Sequence, residues 1–183
     1  AEKNDMSDQQ SLQAGSGTSA SALSFGGYDG GSPGNTGDTE LWQGGVAIGA
    51  WVTSGSMNTA KKLLGGFGTP TSALAFGGET PEESRTAKTE QYNGTSWTEV
   101  TDLNTAKEQL TGVGITTAGL AIGGEGPPGA ITGQTENWNG SSWNEVNDLN
   151  DDRRDLASAG TATSALVFAG FGDPSVGNRA TTE

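Results

Sequence analysis

One short apolar segment recurs four times along this chain and constrains its fold more than any other feature. Residues 72–78 read Ser-Ala-Leu-Ala-Phe-Gly-Gly, and close copies stand at 21–27, 118–124 and 164–170. The last glycines of successive copies are 51, 46 and 46 residues apart. A fixed period in this range is typical of repeat proteins, in which each supersecondary unit buries its apolar face against its neighbours. We therefore expect four similar units packed side by side.

The composition taken alone favours a different conclusion. Only 31% of the residues are hydrophobic and the formal net charge is −13, values that lean towards intrinsic disorder. A disordered chain, however, gains nothing from placing Trp, Gly-Gly and Leu in one register four times. The apolar residues are few but periodic, and this periodicity predicts a folded chain.

Missing residue types narrow the possible chemistry. The chain has no cysteine, so disulfides, thiolate nucleophiles and zinc-thiolate sites are excluded. It has no histidine, which removes the commonest general base and metal ligand. We expect no catalytic residue, cofactor or metal. The acidic balance argues against nucleic-acid partners, and the absence of a long apolar run argues against membrane insertion.

Each unit reads as four short strands. In the third unit we place them around residues 110–114, 119–122, 135–138 and 143–146, and alternation puts Leu120 and Ile122 on one face with Ala121 on the other. The dipeptides Asn93-Gly94 and Asn139-Gly140 predict type I′ hairpins between the third and fourth strands. The glycines that end the second strand mark places where a Cβ would obstruct a sharp turn. They are Gly26, Gly27, Gly77, Gly78, Gly123, Gly124 and Gly170.

Four-stranded units with a diglycine after the second strand and a tryptophan opening the fourth resemble kelch repeats. The resemblance is carried by residues 74–78, 92–97 and 103–107 and extends over essentially the whole chain. It implies an all-β, kelch-type β-propeller of four-stranded antiparallel blades. The sequence of residues 89–100 and 135–146 also resembles kelch-like repeats in virion and tail proteins of environmental bacteriophages.

The two ends of the chain are out of phase with the repeat. Thr182 and Glu183 align with Thr89 and Glu90, whereas residues 5–6 align with residues 102–103. We therefore expect one repeat domain over 1–183, with blades at about 12–57, 64–103 and 110–149 and a split blade formed by 156–183 with 1–6. A closed ring of four blades, part of a six- or seven-bladed ring, and two chains that complete an eight-bladed ring all remain open.

Two sets of residues recur at one position of every unit. The glutamates Glu40, Glu90, Glu136 and Glu183 could form a ring of carboxylates for acid/base work or cation binding, or could accept backbone hydrogen bonds and pair with lysines such as Lys107. The tryptophans Trp51, Trp97 and Trp143 could stack on sugar rings or pack between blades. Catalytic sites break symmetry and these residues do not, so we favour the structural alternative for both sets.

The loops after the diglycines, at 28–37, 79–88, 125–133 and 171–178, differ while the strands barely change. Such variation on a constant scaffold is typical of recognition surfaces. The candidate rim residues are Tyr28, Asp29, Glu79, Glu82, Glu125, Phe171 and Asp173.

These loops predict a non-enzymatic binding or structural module, and we expect a virion or extracellular protein whose rim meets a host-surface glycan or a partner protein, with homo-oligomers or a larger assembly possible. The alternatives are a lyase or hydrolase that uses channel carboxylates and a bacterial surface adhesion module.

Overall fold

The chain is built entirely from antiparallel β-sheets, in agreement with the all-β prediction. The structure is a computed structural model that describes residues 6, 9–31, 34–44, 50–82, 84–172, 177–178 and 180–183. The first sheet contains β1 (Ala14–Gly17), β2 (Ser21–Tyr28), β3 (Asn35–Gln43) and β4 (Ala50–Thr53). The second contains β5 (Gly65–Thr69), β6 (Ser72–Phe76), β7 (Thr89–Tyr92) and β8 (Trp97–Val100). Both are simple meanders in which sequence neighbours pair.

The second half of the chain repeats this pattern. The third sheet contains β9 (Thr111–Ile115), β10 (Ala118–Ile122), β13 (Thr135–Trp138) and β14 (Trp143–Glu145), and a small hairpin of β11 (Glu125–Gly126) and β12 (Ala130–Ile131) lies in its loop. The fourth unit contains β15 (Ala157–Thr161) and β16 (Ser164–Phe168). Thr182 pairs with Phe168 just as Thr89 pairs with Phe76, so the end of the chain takes the place of a third strand.

Successive sheets pack face to face through alternating side chains. On β6, Leu74 and Phe76 contact the third sheet, whereas Ala73 and Ala75 contact the first. The expected alternation on β10 is also present, because Ile122 and Leu120 pack towards the fourth unit and Ala121 packs towards the second sheet. Each sheet thus offers a bulky face to the next sheet and a small-residue face to the previous one.

The first strands of the four units lie next to one another, in the order β1, β5, β9 and β15. Just before them, three backbone hydrogen bonds join the linkers. Leu63 N donates to Leu12 O at 3.0 Å, Gln109 N to Leu63 O at 2.8 Å, and Asp155 N to Gln109 O at 3.0 Å. All four residues have φ between 52° and 58°. The linkers therefore repeat one strained conformation that is held by their neighbours.

The units do not close into a ring. Within the part of the chain that the structure describes, no hydrogen bond joins the fourth unit to the first sheet. The expected closed ring of four blades is thus not confirmed, and the structure is an open series of sheets. The strand that would complete the split blade was expected at residues 1–6, of which 1–5 lie outside the described residues.

The hairpins between third and fourth strands differ from the prediction. Tyr92 pairs with Trp97, so the loop has four residues, 93–96, rather than the two of a type I′ turn. Of the two turn residues only Gly94 has positive φ, at 97°. The Asn93 side-chain oxygen accepts the backbone N–H groups of Thr95 and Ser96, each at 3.0 Å. The type I′ prediction was wrong because this asparagine caps the loop with its side chain instead of adopting positive φ.

The diglycines are required by the approach of the next linker. At Gly77 φ is +65°, and a Cβ there would lie 2.6 Å from the carbonyl oxygen of Lys107. The following residue, Gly78, donates its N–H to the same oxygen at 2.7 Å. A larger residue would therefore separate the second sheet from the linker that leads to the third.

We expect Gly77→Ala to lower the free energy of unfolding by about 2–3 kcal/mol, because it combines backbone strain with a steric overlap. Gly30 is the matched control, since its φ is +81° and no atom lies within 4 Å of the position that a Cβ would take. Gly30→Ala should cost only about 1 kcal/mol, from backbone strain alone. Urea unfolding of both variants measures the difference, and equal costs would show that the linker contact is unimportant.

Candidate functional site

The residues that follow the diglycines are brought together along one end of the sheets, which we call the rim. The rim consists of Tyr28, Glu79, Glu125 and Phe171 with their bridge partners Ser11, Lys62, Glu108 and Arg154. Each partner comes from the linker immediately before a first strand. These eight positions are equivalent across the four units, yet their side chains differ in charge and shape. The rim is therefore the place where the repeat symmetry ends.

A continuous row of charged and aromatic contacts runs along the rim. At one end Lys62 Nζ lies 5.4 Å from the centre of the Tyr28 ring and 3.2 Å from Glu79 Oε1. At the other end the Arg154 guanidinium lies 5.2 Å from the centre of the Phe171 ring. Cations over aromatic rings are stabilised by the ring quadrupole. The row thus begins and ends with a cation on an aromatic side chain.

Two arginines neutralise the acidic centre of the row. Arg85 Nη2 lies 2.9 Å from Glu108 Oε1 and also pairs with Glu125, whose other oxygen pairs with Arg154. Glu108 and Glu125 are 7% and 9% exposed, so these ion pairs are mostly removed from water. Charges buried to this extent persist only when they are paired. Arg85 links the loop of the second unit to the third unit and fixes their relative position.

Glu108 has an unusual protonation behaviour for a carboxylic acid. Burial, followed by the interaction with the Glu79 carboxyl, raises the pKa of Glu108 to about 7, although Arg85 acts in the opposite direction. Three acids, Glu79, Glu108 and Glu125, lie close together here, and holding one proton reduces their repulsion. The charge of the rim therefore changes near neutral pH.

We expect the free energy of unfolding to fall as pH rises from about 4.5 to about 7, because the unfolded Glu108 loses its proton first. Glu108→Gln should remove that part of the pH dependence. Glu99→Gln is the control, since Glu99 is half exposed in an ion pair with Lys88 at 3.0 Å. Urea unfolding at several pH values measures the slopes, and identical slopes for wild type and Glu108→Gln would contradict the raised pKa.

Two pockets open on the rim at junctions between units. The larger, about 340 Å³, is bordered by Glu125, Ile131, Asp152, Arg154 and Phe171. The smaller, about 250 Å³, has Tyr28, Lys62 and Glu79 among its walls. Each combines an aromatic ring, a cation and at least one carboxylate, a set that can stack on a ligand and form directional hydrogen bonds.

The structure places the predicted rim residues differently from one another. Tyr28, Glu79, Glu125 and Phe171 join the row of contacts. Asp29 is exposed beside it and accepts the Gly31 N–H at 2.8 Å, which fixes a loop rather than a ligand. Glu82 is exposed in the loop of the second unit, and Asp173 lies outside the described residues.

Sequence reasoning missed the linker side of the rim. Lys62, Glu108 and Arg154 are 46 residues apart and each precedes the first strand of a unit. That spacing is a signal in the sequence, but the prediction considered only the loops after the diglycines. Arg85 carries no such signal, because no equivalent residue recurs.

The recurring glutamates lie between units rather than on the rim. Glu90 is fully buried, and its carboxylate accepts the N–H groups of Asn58 at 2.6 Å and Thr59 at 3.1 Å. Lys61 Nζ lies 3.7 Å from it. Glu136 repeats the arrangement with Asn104, Thr105 and Lys107, and Glu183 with Asn150, Asp151 and Arg153. Glu40 is also buried. These contacts clasp each sheet to the preceding linker and favour the structural interpretation.

The tryptophans also lie at junctions between sheets. Trp97 stacks 5.0 Å from Phe25 of the first sheet and donates its indole N–H to Thr39 at 3.0 Å. Trp143 makes the same contacts with Phe76 and Thr89, at 5.0 Å and 3.2 Å. Trp51 has no preceding sheet and lies half exposed, 5.7 Å from Trp42. Trp97 and Trp143 are therefore unavailable to sugars, whereas Trp51 is accessible.

Neither a metal centre nor a membrane-crossing helix is found among the described residues. No group of three or more Asp and Glu side chains there could hold a metal ion. Over the same ranges no helix is long and apolar enough to cross a membrane. In comparisons with known proteins, no family model matches this chain and no curated protein is similar to it in sequence.

Proposed function

We propose that this chain is a non-enzymatic binding module of kelch-like, propeller-type repeats, whose rim binds a glycan. One observation carries the proposal: four units that repeat the same buried clasp and tryptophan contacts differ in chemistry along the rim. A repeated scaffold with one variable edge is the usual arrangement of a recognition protein.

The larger rim pocket supports a polar, ring-shaped ligand. Phe171 and Ile131 offer apolar contact, and the carboxylates of Glu125 and Asp152 can accept hydrogen bonds from sugar hydroxyl groups. Arg154 supplies donors beside them. The virion or tail setting, and a host-surface glycan as ligand, are proposed from the resemblance of residues 89–100 and 135–146 to phage proteins. A structural partner protein on the same rim is the alternative.

A glycan array with the purified chain tests the proposal. We expect binding to at least one surface glycan, and at least a tenfold loss on Arg154→Ala and on Phe171→Ala. Thr95→Ala is the matched control, because Thr95 is exposed in a loop at the opposite end of the sheets. No binding by the wild type would contradict the glycan proposal, and equal loss in the control would point to a general effect on folding.

A carbohydrate-active hydrolase or lyase is the second candidate, favoured by one feature. The acids Glu79, Glu108 and Glu125 form an asymmetric cluster, and a pKa of about 7 for Glu108 suits a general acid. Against it, Glu108 and Glu125 are engaged by Arg85, and Glu108 borders neither rim pocket. We expect no release of reducing ends from a bound glycan. Release that Glu108→Gln abolishes would establish the enzyme instead.

A further inference from the structure

The two ends of the series of sheets leave complementary faces uncovered. On the fourth unit, Leu166 and Phe168 are 48% and 38% exposed, whereas the equivalent Leu74 and Phe76 of the second sheet are fully buried. On the first sheet, Trp51 borders an open depression of about 580 Å³ together with Ala22, Ser24 and the backbone of β1. We call these the Phe168 face and the Trp51 face.

The contacts between internal sheets show what each face fits. Phe25 meets Trp97 and Phe76 meets Trp143, both at 5.0 Å between ring centres. In each case the tryptophan also donates its indole N–H to a threonine of the preceding sheet. By the repeat, Phe168 corresponds to Phe76, Trp51 to Trp97, and Thr182 to Thr89. The Phe168 face and the Trp51 face are thus the two halves of a contact that the chain already makes internally.

The backbone supports the same match. Each linker donates one N–H to the linker before it, from Leu63 to Leu12, from Gln109 to Leu63, and from Asp155 to Gln109. Over the described ranges, the N–H of Leu12 and the carbonyl of Asp155 have no hydrogen-bond partner. The first linker therefore has a spare donor and the last has a spare acceptor, in the orientation that a fourth bond of this kind requires.

We propose that two copies of this chain associate head to tail, with the Phe168 face of one against the Trp51 face of the other. In this junction the Trp51 indole N–H of the second copy donates to the Thr182 hydroxyl of the first. The Leu12 N–H of the second copy donates to the Asp155 carbonyl of the first. Such a contact joins unlike surfaces, so the two copies close into a dimer if both junctions form and otherwise extend into a chain of copies.

The competing occupant is the same chain, because all four linkers border one pocket of about 140 Å³. The exposure of Leu166 and Phe168 argues against that closure. A folded surface that leaves two adjacent large apolar side chains open is typical of an interaction site. A second copy supplies a face already known to fit, and no other partner is needed to explain the match.

Sedimentation velocity over a range of concentrations tests the proposal. We expect the wild type to have at least twice the mass of one chain, 18.5 kDa, and Phe168→Asp and Trp51→Asp each to be a monomer. An equimolar mixture of the two variants should recover a dimer, because each retains one intact face. Val146→Asp is the matched control, since Val146 is 44% exposed in the third unit, away from both faces.

Three outcomes would overturn the proposal. The first is a wild type of 18.5 kDa at every concentration. The second is an assembly that neither Asp substitution reduces, and the third is a variant mixture that stays monomeric while circular dichroism shows both variants folded. In a Trp51→Cys, Phe168→Cys double variant, a disulfide that forms within a monomer would identify the chain's own ends as occupants. The absence of natural cysteine makes that disulfide unambiguous.

Discussion

Glu90→Gln is expected to lower the free energy of unfolding by about 3–5 kcal/mol at pH 7, since removing one partner of a buried ion pair strands the other. Glu90 and Lys61 are both fully buried. The carboxylate also accepts the backbone N–H groups of Asn58 and Thr59, and an amide in its place leaves one of these donors without an acceptor. Urea unfolding measures the loss.

A second substitution separates the charge from the hydrogen bonds. Adding Lys61→Met to Glu90→Gln should recover part of the stability, because no unpaired charge then remains. Glu99→Gln is the control on the adjacent strand, where the ion pair with Lys88 is half exposed and should contribute less than about 1 kcal/mol. If the double variant is no more stable than Glu90→Gln, the stranded lysine is not the cause of the loss.

The pH dependence of these variants has a definite sign. Burial lowers the pKa of Lys61 to about 8, although Glu90 opposes the shift. The unfolded lysine holds its proton to higher pH than the folded one, so the stability contributed by this group rises between about pH 8 and 10.5. In Glu90→Gln the rise should begin at lower pH, because the counter-charge is gone.

Trp143→Ala is expected to cost about 3–5 kcal/mol, since it opens a large cavity between the second and third sheets. The indole lies 5.0 Å from Phe76 and 5.2 Å from Trp138, between ring centres, and is 4% exposed. Trp143→Phe should cost about 1–2 kcal/mol, chiefly through the hydrogen bond from Nε1 to the Thr89 hydroxyl. Thermal or urea unfolding followed by tryptophan fluorescence measures both.

The control for the cavity is Val146→Ala, just beyond the strand that carries Trp143. Val146 is 44% exposed, and its truncation should change stability by less than about 0.5 kcal/mol. Equal effects at Trp143 and Val146 would mean that the junction between the sheets contributes little to stability.

The strands could be predicted from the sequence because their signals are local. The diglycines and the Leu-x-Phe alternation identify β6 and its equivalents without knowledge of partners, and side-chain alternation then assigns Leu74 and Ala75 to opposite faces. The loop at Asn93 was assigned to the wrong turn because its length depends on how Tyr92 pairs with Trp97, a register that the dipeptide does not determine.

The rim could be predicted only in part. Variation after the diglycines identified Glu125 and Phe171, but their partners Glu108 and Arg154 come from linkers that look like ordinary solvated segments. The raised pKa of Glu108 depends on burial and on Glu79, from another unit, and neither is visible in one unit of the repeat. Chemistry that depends on contacts between units requires the packing of the units to be known.

Because each sheet touches only the sheets beside it, resistance to opening should be graded along the chain. The second and third sheets have neighbours on both sides, whereas β1 and β16 each have a neighbour on one side only. Amide protons of β6 and β10 should therefore exchange with solvent most slowly, and those of the fourth unit fastest. A protein of this kind loses its structure from its ends inwards, so whatever covers those ends governs its lifetime.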